Sequence, residues 1–129
     1  MKNLKIYISG GMSGFKEFNY PKFDRIAKQL RAKGYEVVNP ASDVKPILAD
    51  GREITIEELH KLMKSGEVRV DESWQAFLRG DIIALQFCNA VYRLKNWRNS
   101  KGARYEVSCA RRMKYEFFDE GKETDLLVA

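Results

Sequence analysis

The chain has few residues that bind metals or form disulfides, and it has no long apolar segment. It contains two cysteines, Cys88 and Cys109, and a single histidine, His60. No apolar run approaches the ~20 residues that a transmembrane helix requires, so we expect no membrane contact. Both cysteines fall in apolar periodic segments, which favours buried, reduced thiols over a disulfide framework. These three residues supply too few ligands for a cysteine-based metal site, and no metal is expected.

We also expect no secretory leader. Residues 1–5 lead directly into a strand-like run, with no signal-peptide h-region before it. We therefore expect a cytoplasmic protein. The 129 residues predict one domain, residues 1–129, and 44% hydrophobic content is enough for a real core.

Positive charge exceeds negative charge in this chain. There are 23 Lys and Arg residues against 18 Asp and Glu, a net charge of +5, which favours anionic partners. The densest basic cluster, Arg111, Arg112 and Lys114, occupies one helix turn and is typical of a solvated face. Because no base-reading element is evident, we rank nucleic acid last among candidate partners. A phosphorylated small molecule is served by the same charge.

Short β-rich runs alternate with helical patterns along the chain. A helix is predicted from Pro21 to a stop at Gly34, another from Trp74 to about Cys88, and a third from Ser100. The third has Val107, Ala110 and Met113 on its buried side, and the second has Phe77, Leu78, Ile82 and Leu85. The predicted strands are Lys5–Ser9, Tyr35–Val38, Ala90–Leu94 and Tyr115–Phe118, with a fifth left open over Asp125–Ala129.

Residues 41–70 give the weakest secondary-structure signals in the chain. Ile56, Leu59, His60 and Met63 allow a short helix between turns at 50–52 and 65–66. On that helix His60 is expected to be a surface or packing residue rather than a catalyst.

The β-loop-α-β order of the first forty residues predicts parallel strands joined by a right-handed crossover. The fold class is therefore an α/β sandwich with a mostly parallel, four- or five-stranded sheet. In such sheets ligands bind beyond the carboxyl ends of the strands. The loops after the first and third strands lie at that edge, and they carry Gly10–Gly14 and Asn96–Gly102.

The most informative segment is the start of the third helix. Ser100 is a preferred N-cap residue, and Glu106 leans back over Gly102, which has no side chain. No cation lies three or four positions from Glu106, so this carboxylate is either poorly placed or required there. A helix N-terminus attracts anions such as phosphate. The segment predicts an anion site beside a carboxylate.

Three short motifs in this order resemble the nucleoside 2-deoxyribosyltransferase superfamily. They are the Tyr-Ile-Ser-Gly run Tyr7–Gly10, Asp81 followed after seven residues by Asn89, and the Ser-x-Gly-x-x-x-Glu pattern ending at Glu106. The pattern is most similar to the branch of 2'-deoxynucleoside 5'-phosphate N-hydrolases. With Asn39-Pro40 and Trp97 it also resembles a small, mostly uncharacterised family found in many phages and prophages. The resemblance implies a flavodoxin-like three-layer sandwich.

The resemblance also implies roles for single residues. Glu106 would attack or stabilise the anomeric carbon, Tyr7 would orient it, and Asp81 would assist base departure or hold the sugar. Serine rather than an acid at position 100 points to a nucleoside 5'-monophosphate, since a carboxylate would repel phosphate. The phosphate would be held by Ser100, Gly102 and the loop of Gly10, Gly11, Met12 and Ser13.

Other readings of these residues stay open. Tyr7 fits a core strand, and helical spacing allows Asp81 to face solvent. Trp97 could stack on a base or lie at a dimer interface. Asn89 replaces an aspartate of the hydrolases but could still form hydrogen bonds at a strand start. We include it among the predicted substrate-binding residues. The family often completes its site from a second subunit, which implies a homo-oligomer, and no cofactor is implied.

Two classes of function follow. The first is cleavage of an N-glycosidic bond, or deoxyribosyl transfer, on a nucleoside 5'-monophosphate through a glutamate nucleophile. The alternative is a non-catalytic protein that binds a nucleotide or an ADP-ribose-type ligand.

Overall fold

Four parallel strands form a central sheet that is covered by helices on both faces. The computed structural model of the chain describes residues 3–12 and 15–128. Within them, no helix is both long enough and apolar enough to cross a bilayer. Short turns, Lys16–Asn19 and Trp97–Asn99, precede the first and last helices. In chain order the elements are β1 (Lys5–Ser9), α1 (Tyr20–Ala32), β2 (Glu36–Val38), α2 (Ile56–Lys64), α3 (Val70–Gln86), β3 (Ala90–Arg93), α4 (Lys101–Arg112) and β4 (Glu116–Asp119).

The strand order is β2-β1-β3-β4, and every neighbouring pair is parallel. In the central pair Ile6 lies opposite Ala90 and Ser9 opposite Arg93, so β1 and β3 end at the same level. The chain leaves β1 toward β2 on one side, whereas β3 lies on the other side. This confirms the predicted α/β class, a flavodoxin-like arrangement with a four-stranded parallel sheet.

The side chains of β1 alternate between two cores. Ile6 and Ile8 pack beneath α1 with Phe23 and Leu30 of that helix. Tyr7 points to the other face and packs with residues of α3, β3 and α4. Since successive residues of a strand face opposite sides, polar groups at the end of β1 can reach the α4 side without disturbing the α1 core.

Two helix boundaries follow from local sequence signals. Gly34 has a positive φ of 94° just past the end of α1, the left-handed conformation that glycine adopts readily at helix ends. Thr55 caps α2 by accepting from the Glu58 amide, and the Glu58 side chain returns to the Thr55 amide. The short helix predicted within residues 41–70 is therefore confirmed, and His60 is exposed on it.

A fifth strand, which the sequence left open over Asp125–Ala129, does not form in the described residues. Positions 126–128 form a turn beside the sheet, and Ala129 lies outside the described residues. Asp125 is buried and accepts hydrogen bonds from the Tyr92 hydroxyl at 2.7 Å and the Gly121 amide at 2.7 Å. This buried carboxylate fixes the end of the chain against the α1 side of the sheet, where a strand would lose those bonds.

The buried faces of two helices also differ from prediction. The fully buried residues of α3 are mostly small, because the helix packs closely on the segment before α2: a Cβ on Gly80 would lie 2.2 Å from the Lys45 carbonyl oxygen. Met113 lies just past α4 and is exposed. Of the two cysteines, both unbonded, Cys88 is buried but Cys109 only half-buried. The predicted apolar residues of α3 that are only half-buried are Trp74, Phe77, Leu78 and Ile82.

Candidate functional site

The candidate site lies at the carboxyl ends of β1 and β3, where the connections from the two strands diverge. This is the switch point at which open α/β sheets bind ligands. Gly10 follows β1 and passes so close to Leu94 that a Cβ would lie 2.7 Å from that side chain. The Leu94 amide donates to the Ser9 carbonyl oxygen at 2.9 Å. Glycine at position 10 therefore lets the two loops meet.

Glu106 is the buried acid at the centre of the site. It lies on the inner side of α4 between Ala103 and Ala110, and only 5% of it is exposed. The Tyr7 hydroxyl donates to its Oε2 at 2.7 Å, and the Ser9 hydroxyl donates to its Oε1 at 2.8 Å. Each carboxylate oxygen thus has one donor from β1, which fixes the carboxylate plane.

Asp81 of α3 forms a hydrogen bond with Glu106. Two carboxyl groups can share a hydrogen bond only if one of them carries a proton. Burial, followed by the negative charge of Glu106, raises the pKa of Asp81 well above its usual range. Burial also raises the pKa of Glu106 to about 7, although hydrogen bonds from Tyr7, Ser9 and Asp81 act in the opposite direction. Because Glu106 also accepts hydrogen bonds from the Tyr7 and Ser9 hydroxyls, which favour its ionised form, Asp81 is the member placed to keep the shared proton.

The Tyr7 hydroxyl stays protonated in this setting. Burial and the adjacent Glu106 charge raise its pKa well above the usual value of a tyrosine. It is fully buried in the core formed with Leu85, Val91 and Ala110. Tyr7 is thus both a core aromatic and a neutral donor to the acid.

The N-terminus of α4 lies one helical turn from Glu106. Ser100 caps the helix by accepting from the Ala103 amide at 3.1 Å. A Cβ placed on Gly102 would have only the Ser100 Oγ nearby, at 4.0 Å, so open space lies above the first turn. This turn has no acidic residue, so nothing in it offsets the positive end of the helix dipole.

A cavity of about 240 Å³ opens in front of this turn. Two aromatic side chains, Phe15 and Trp74, contribute apolar surface to it. The Lys101 ammonium lies 4.9 Å from the centroid of the Trp74 ring, within cation–π distance. The lining residues are Gly11, Phe15, Trp74, Asn96, Asn99, Ser100, Lys101 and Gly102.

The structure brings most of the predicted site residues together. Tyr7, Asp81 and Glu106 form one hydrogen-bonded cluster, and the solvent-facing alternative for Asp81 does not hold. Of the loop after β1, Gly11 lines the cavity and Gly10 contacts Leu94, but Met12 packs against the α1 core. The predicted loop residues Ser13 and Gly14 lie outside the described residues.

Two predicted binding residues are not brought to the site. Trp97 is absent from the cavity lining, and its ring lies between the guanidinium groups of Arg93 at 4.9 Å and Arg98 at 4.8 Å. Asn89 precedes β3 and therefore lies at the amino edge of the sheet. Its side chain accepts from the Lys5 amide and donates to the Asn3 carbonyl, each at 2.8 Å. Asn89 thus forms the hydrogen bonds at a strand start that the sequence allowed, and its amide joins the starts of β1 and β3 away from the cavity.

Three residues of the site were missed in the sequence. Ser9 lies two positions after Tyr7 on the same strand. Because residues two apart on a strand point to the same face, the sequence could have predicted that Ser9 faces Glu106 with Tyr7. Phe15 and Trp74 come to the cavity from separate segments, and no local pattern indicates their approach. Across the described part of the chain, no group of three or more His, Cys, Asp or Glu residues is arranged to hold a metal ion.

Comparison with known proteins gives a family but no characterised relative. None of the curated proteins matches the sequence. A family model described as a domain of unknown function, DUF4406, matches residues 4–118. The match extends from just before β1 into β4, and it includes Tyr7, Asp81, Ser100 and Glu106. Since the match covers most of the 129 residues of the chain, the chain belongs to the DUF4406 family.

Proposed function

We propose that this protein cleaves the N-glycosidic bond of a nucleoside 5'-monophosphate, with Glu106 as the nucleophile. The observation that carries the proposal is the buried Glu106 carboxylate, aligned by the hydroxyls of Tyr7 and Ser9 and hydrogen-bonded to Asp81. A nucleophile next to a proton donor is the pair of groups that glycoside cleavage needs. Both groups lie within one hydrogen-bonded cluster, and Glu106 is one helical turn from Gly102, which lines the cavity.

The chemistry would proceed in two steps. In the first, a Glu106 oxygen forms a bond to the anomeric carbon, the bond from that carbon to the base nitrogen breaks, and Asp81 gives its proton to the departing base. In the second, water attacks the same carbon, the ester to Glu106 breaks, and the Asp81 carboxylate takes the proton from water. If a second base replaces water, the outcome is deoxyribosyl transfer.

The phosphate requirement is supported by the start of α4. Ser100, the backbone at Gly102 and the unneutralised end of the helix dipole favour an anion there. Lys101 adds a positive charge at the cavity. Holding the phosphate at this point would orient the sugar toward Glu106, and orientation is a major source of rate enhancement.

The aromatic lining of the cavity supports a nucleotide as the class of ligand. Phe15 and Trp74 offer apolar ring surface on which a planar base can pack, and Asn96 and Asn99 offer amide groups for hydrogen bonds. A substrate with a charged end and a flat end fits a cavity that combines these surfaces.

The decisive experiment is incubation of the purified chain with each deoxynucleoside 5'-monophosphate, followed by chromatographic detection of free base. We expect base release by the wild type and a loss of about 10³-fold or more in Glu106→Gln, because the nucleophile is removed. Glu57→Gln is the matched control, since Glu57 is exposed at the start of α2 far along the chain from the site. It should release base at the wild-type rate.

The same experiment distinguishes the alternative function. Tight retention of an intact nucleotide or ADP-ribose without base release would identify a binding protein. Normal base release by Glu106→Gln would show that Glu106 is not the nucleophile.

A further inference from the structure

The net positive charge of the protein is concentrated in one segment. Residues 98–114 hold six of the 23 basic residues and one of the 18 acidic residues, Glu106. The rest of the chain is left with seventeen of each and is neutral. Because Glu106 is buried, every charged residue on the solvent-facing side of this segment is a cation. The net charge of +5 thus comes from α4 and the residues at its two ends.

The exposed residues of α4 form a single face. On a helix that turns 100° per residue, they fall within an arc of about 120°. We call this the cationic face of α4. Its members are Lys101, Arg104, Tyr105, Ser108, Arg111 and Arg112, and Arg98 and Lys114 extend it at the two ends.

The cations of this face are not neutralised by the protein. Within residues 3–12 and 15–128, the ion pairs involve other residues, and none joins a carboxylate to a cation of this face. Arg104 donates to the Arg98 carbonyl oxygen at 2.9 Å, and Lys101 lies over Trp74. These contacts hold the side chains in place but leave their charge uncompensated.

Helix stability accounts for only part of this arrangement. The first turns of α2 and α3 carry acidic residues, Glu57 and Glu58 in one and Asp71 and Glu72 in the other, which complement the helix dipole. The first turn of α4, like that of α1, has no acid, and it begins with Lys101. Lys101 opposes the dipole at that end, whereas Arg111 and Arg112 in the last turn complement it. An anionic partner would offset the cations at the start of the helix.

We infer that the cationic face of α4 is a docking surface for single-stranded nucleic acid. From Lys101 to Arg112 the face extends about 16 Å, a length over which one strand of B-form DNA carries about five phosphates. Tyr105 is 53% exposed in the middle of the cations, and it offers a ring on which an unpaired base can stack. A phosphate-binding surface of this kind needs no base-reading element, so the lack of one, which ranked nucleic acid last from the sequence, does not count against it. The inference does not depend on the proposed catalytic function.

The test is fluorescence anisotropy of a labelled 15-residue oligothymidylate over a range of salt concentrations. The double variant Arg104→Glu/Arg112→Glu should bind about tenfold or more weakly, and its salt dependence should flatten by about one unit of slope for each lost phosphate contact. Arg25→Glu/Lys28→Glu on the exposed side of α1 removes the same charge and should change affinity little. Circular dichroism verifies that both double variants fold.

Tyr105→Ala tests the stacking contact separately. It should weaken binding about tenfold while leaving the salt dependence unchanged, because no charge is lost. Equal losses in the two double variants would overturn the inference, since net charge alone would then explain binding. Equal competition by polyglutamate would also overturn it, in favour of an acidic protein. Tighter binding of the matching duplex, with no effect of Tyr105→Ala, would overturn the assignment to single strands.

Discussion

Glu106 combines satisfied hydrogen bonds with an uncompensated charge. Hydroxyl donors from Tyr7 and Ser9 reach its two oxygens, and no ion pair joins it to a cation among the described residues. Removing a carboxylate from water without a countercharge disfavours its ionised form, which raises its pKa to about 7. An acid placed in this way is poised near neutral pH, a property that clusters at functional sites.

Tyr7→Phe should move the acid limb of the pH profile of base release to higher pH. The Tyr7 hydroxyl donates to Glu106 at 2.7 Å and favours its ionised form, so its loss raises the pKa of Glu106 further. A hydrogen bond to a charged group is worth about 1.5–3 kcal/mol, which corresponds to a shift of about one to two pH units. The measurement is kcat/KM between pH 5 and 9.

Tyr92→Phe is the matched control for that variant. Tyr92 is also a fully buried strand tyrosine that donates to a carboxylate, Asp125, at 2.7 Å, but it lies on the α1 side of the sheet. It should lower stability to a similar degree without moving the pH profile. A profile that moves equally in both variants would show that Tyr7 does not act through Glu106.

At the scale of single elements, Ser100 at the start of α4 both caps the helix and lines the cavity, and substitutions can separate these two roles. Ser100 caps the helix through the Ala103 amide, and it also lines the cavity. Ser100→Ala should lower the free energy of unfolding by about 1 kcal/mol through loss of the cap. Ser100→Asp should keep that stability, because aspartate is an equally good cap, and should raise KM for a nucleoside monophosphate by charge repulsion. Denaturant unfolding and steady-state kinetics measure the two effects.

The cap of α2 provides the comparison for this pair. Thr55 accepts from the Glu58 amide at 3.0 Å, and it lies at the start of a different helix. Thr55→Ala should lower stability as Ser100→Ala does, with no change in KM. If Ser100→Asp binds monophosphates as tightly as the wild type does, the anion is not held at the start of α4.

At the scale of the whole molecule, the sheet brings together residues that are about a hundred positions apart. Tyr7 and Ser9 reach Glu106 only because β1 lies beside β3 and α4 covers that face. The stability of the fold and the ionisation of the site are therefore coupled. A buried acid with a raised pKa makes the folded state bind a proton that the unfolded state releases.

The pH dependence of stability should report this coupling. The pKa of Glu106 is about 7 in the folded state and about 4.3 in an unfolded chain. Its contribution is fully present below the unfolded value and is lost as pH rises through the folded value. Relative to Glu106→Gln, the wild type should lose about 1–3 kcal/mol of unfolding free energy between pH 4.5 and 8.

Urea unfolding of both proteins at several pH values makes this measurement. Glu57→Gln should follow the wild-type curve, because Glu57 is exposed on α2 and is not part of the buried cluster around Glu106. A constant difference between the wild type and Glu106→Gln across this range would contradict the raised pKa.

Local signals in the sequence determined the strands, the main helices and the cap of α4. The apolar run Lys5–Ser9, the stop at Gly34 and the N-cap at Ser100 each act within a few residues, so they can be identified without the rest of the chain. The position of Glu106 on the small side of α4 is also local, because helical periodicity fixes it. The fold class followed from the order of these elements.

Only the tertiary structure decided which side chains share the site. Asp81 and Trp74 come from α3, and their approach to α4 depends on how two helices pack on one face of the sheet. Asn89 and Trp97 lie away from the cavity, which the sequence could not decide because the order of elements does not specify where a polar or aromatic side chain points. Local hydrogen bonding and periodicity are encoded in neighbouring residues, whereas the proximity of distant residues depends on packing across the whole sheet.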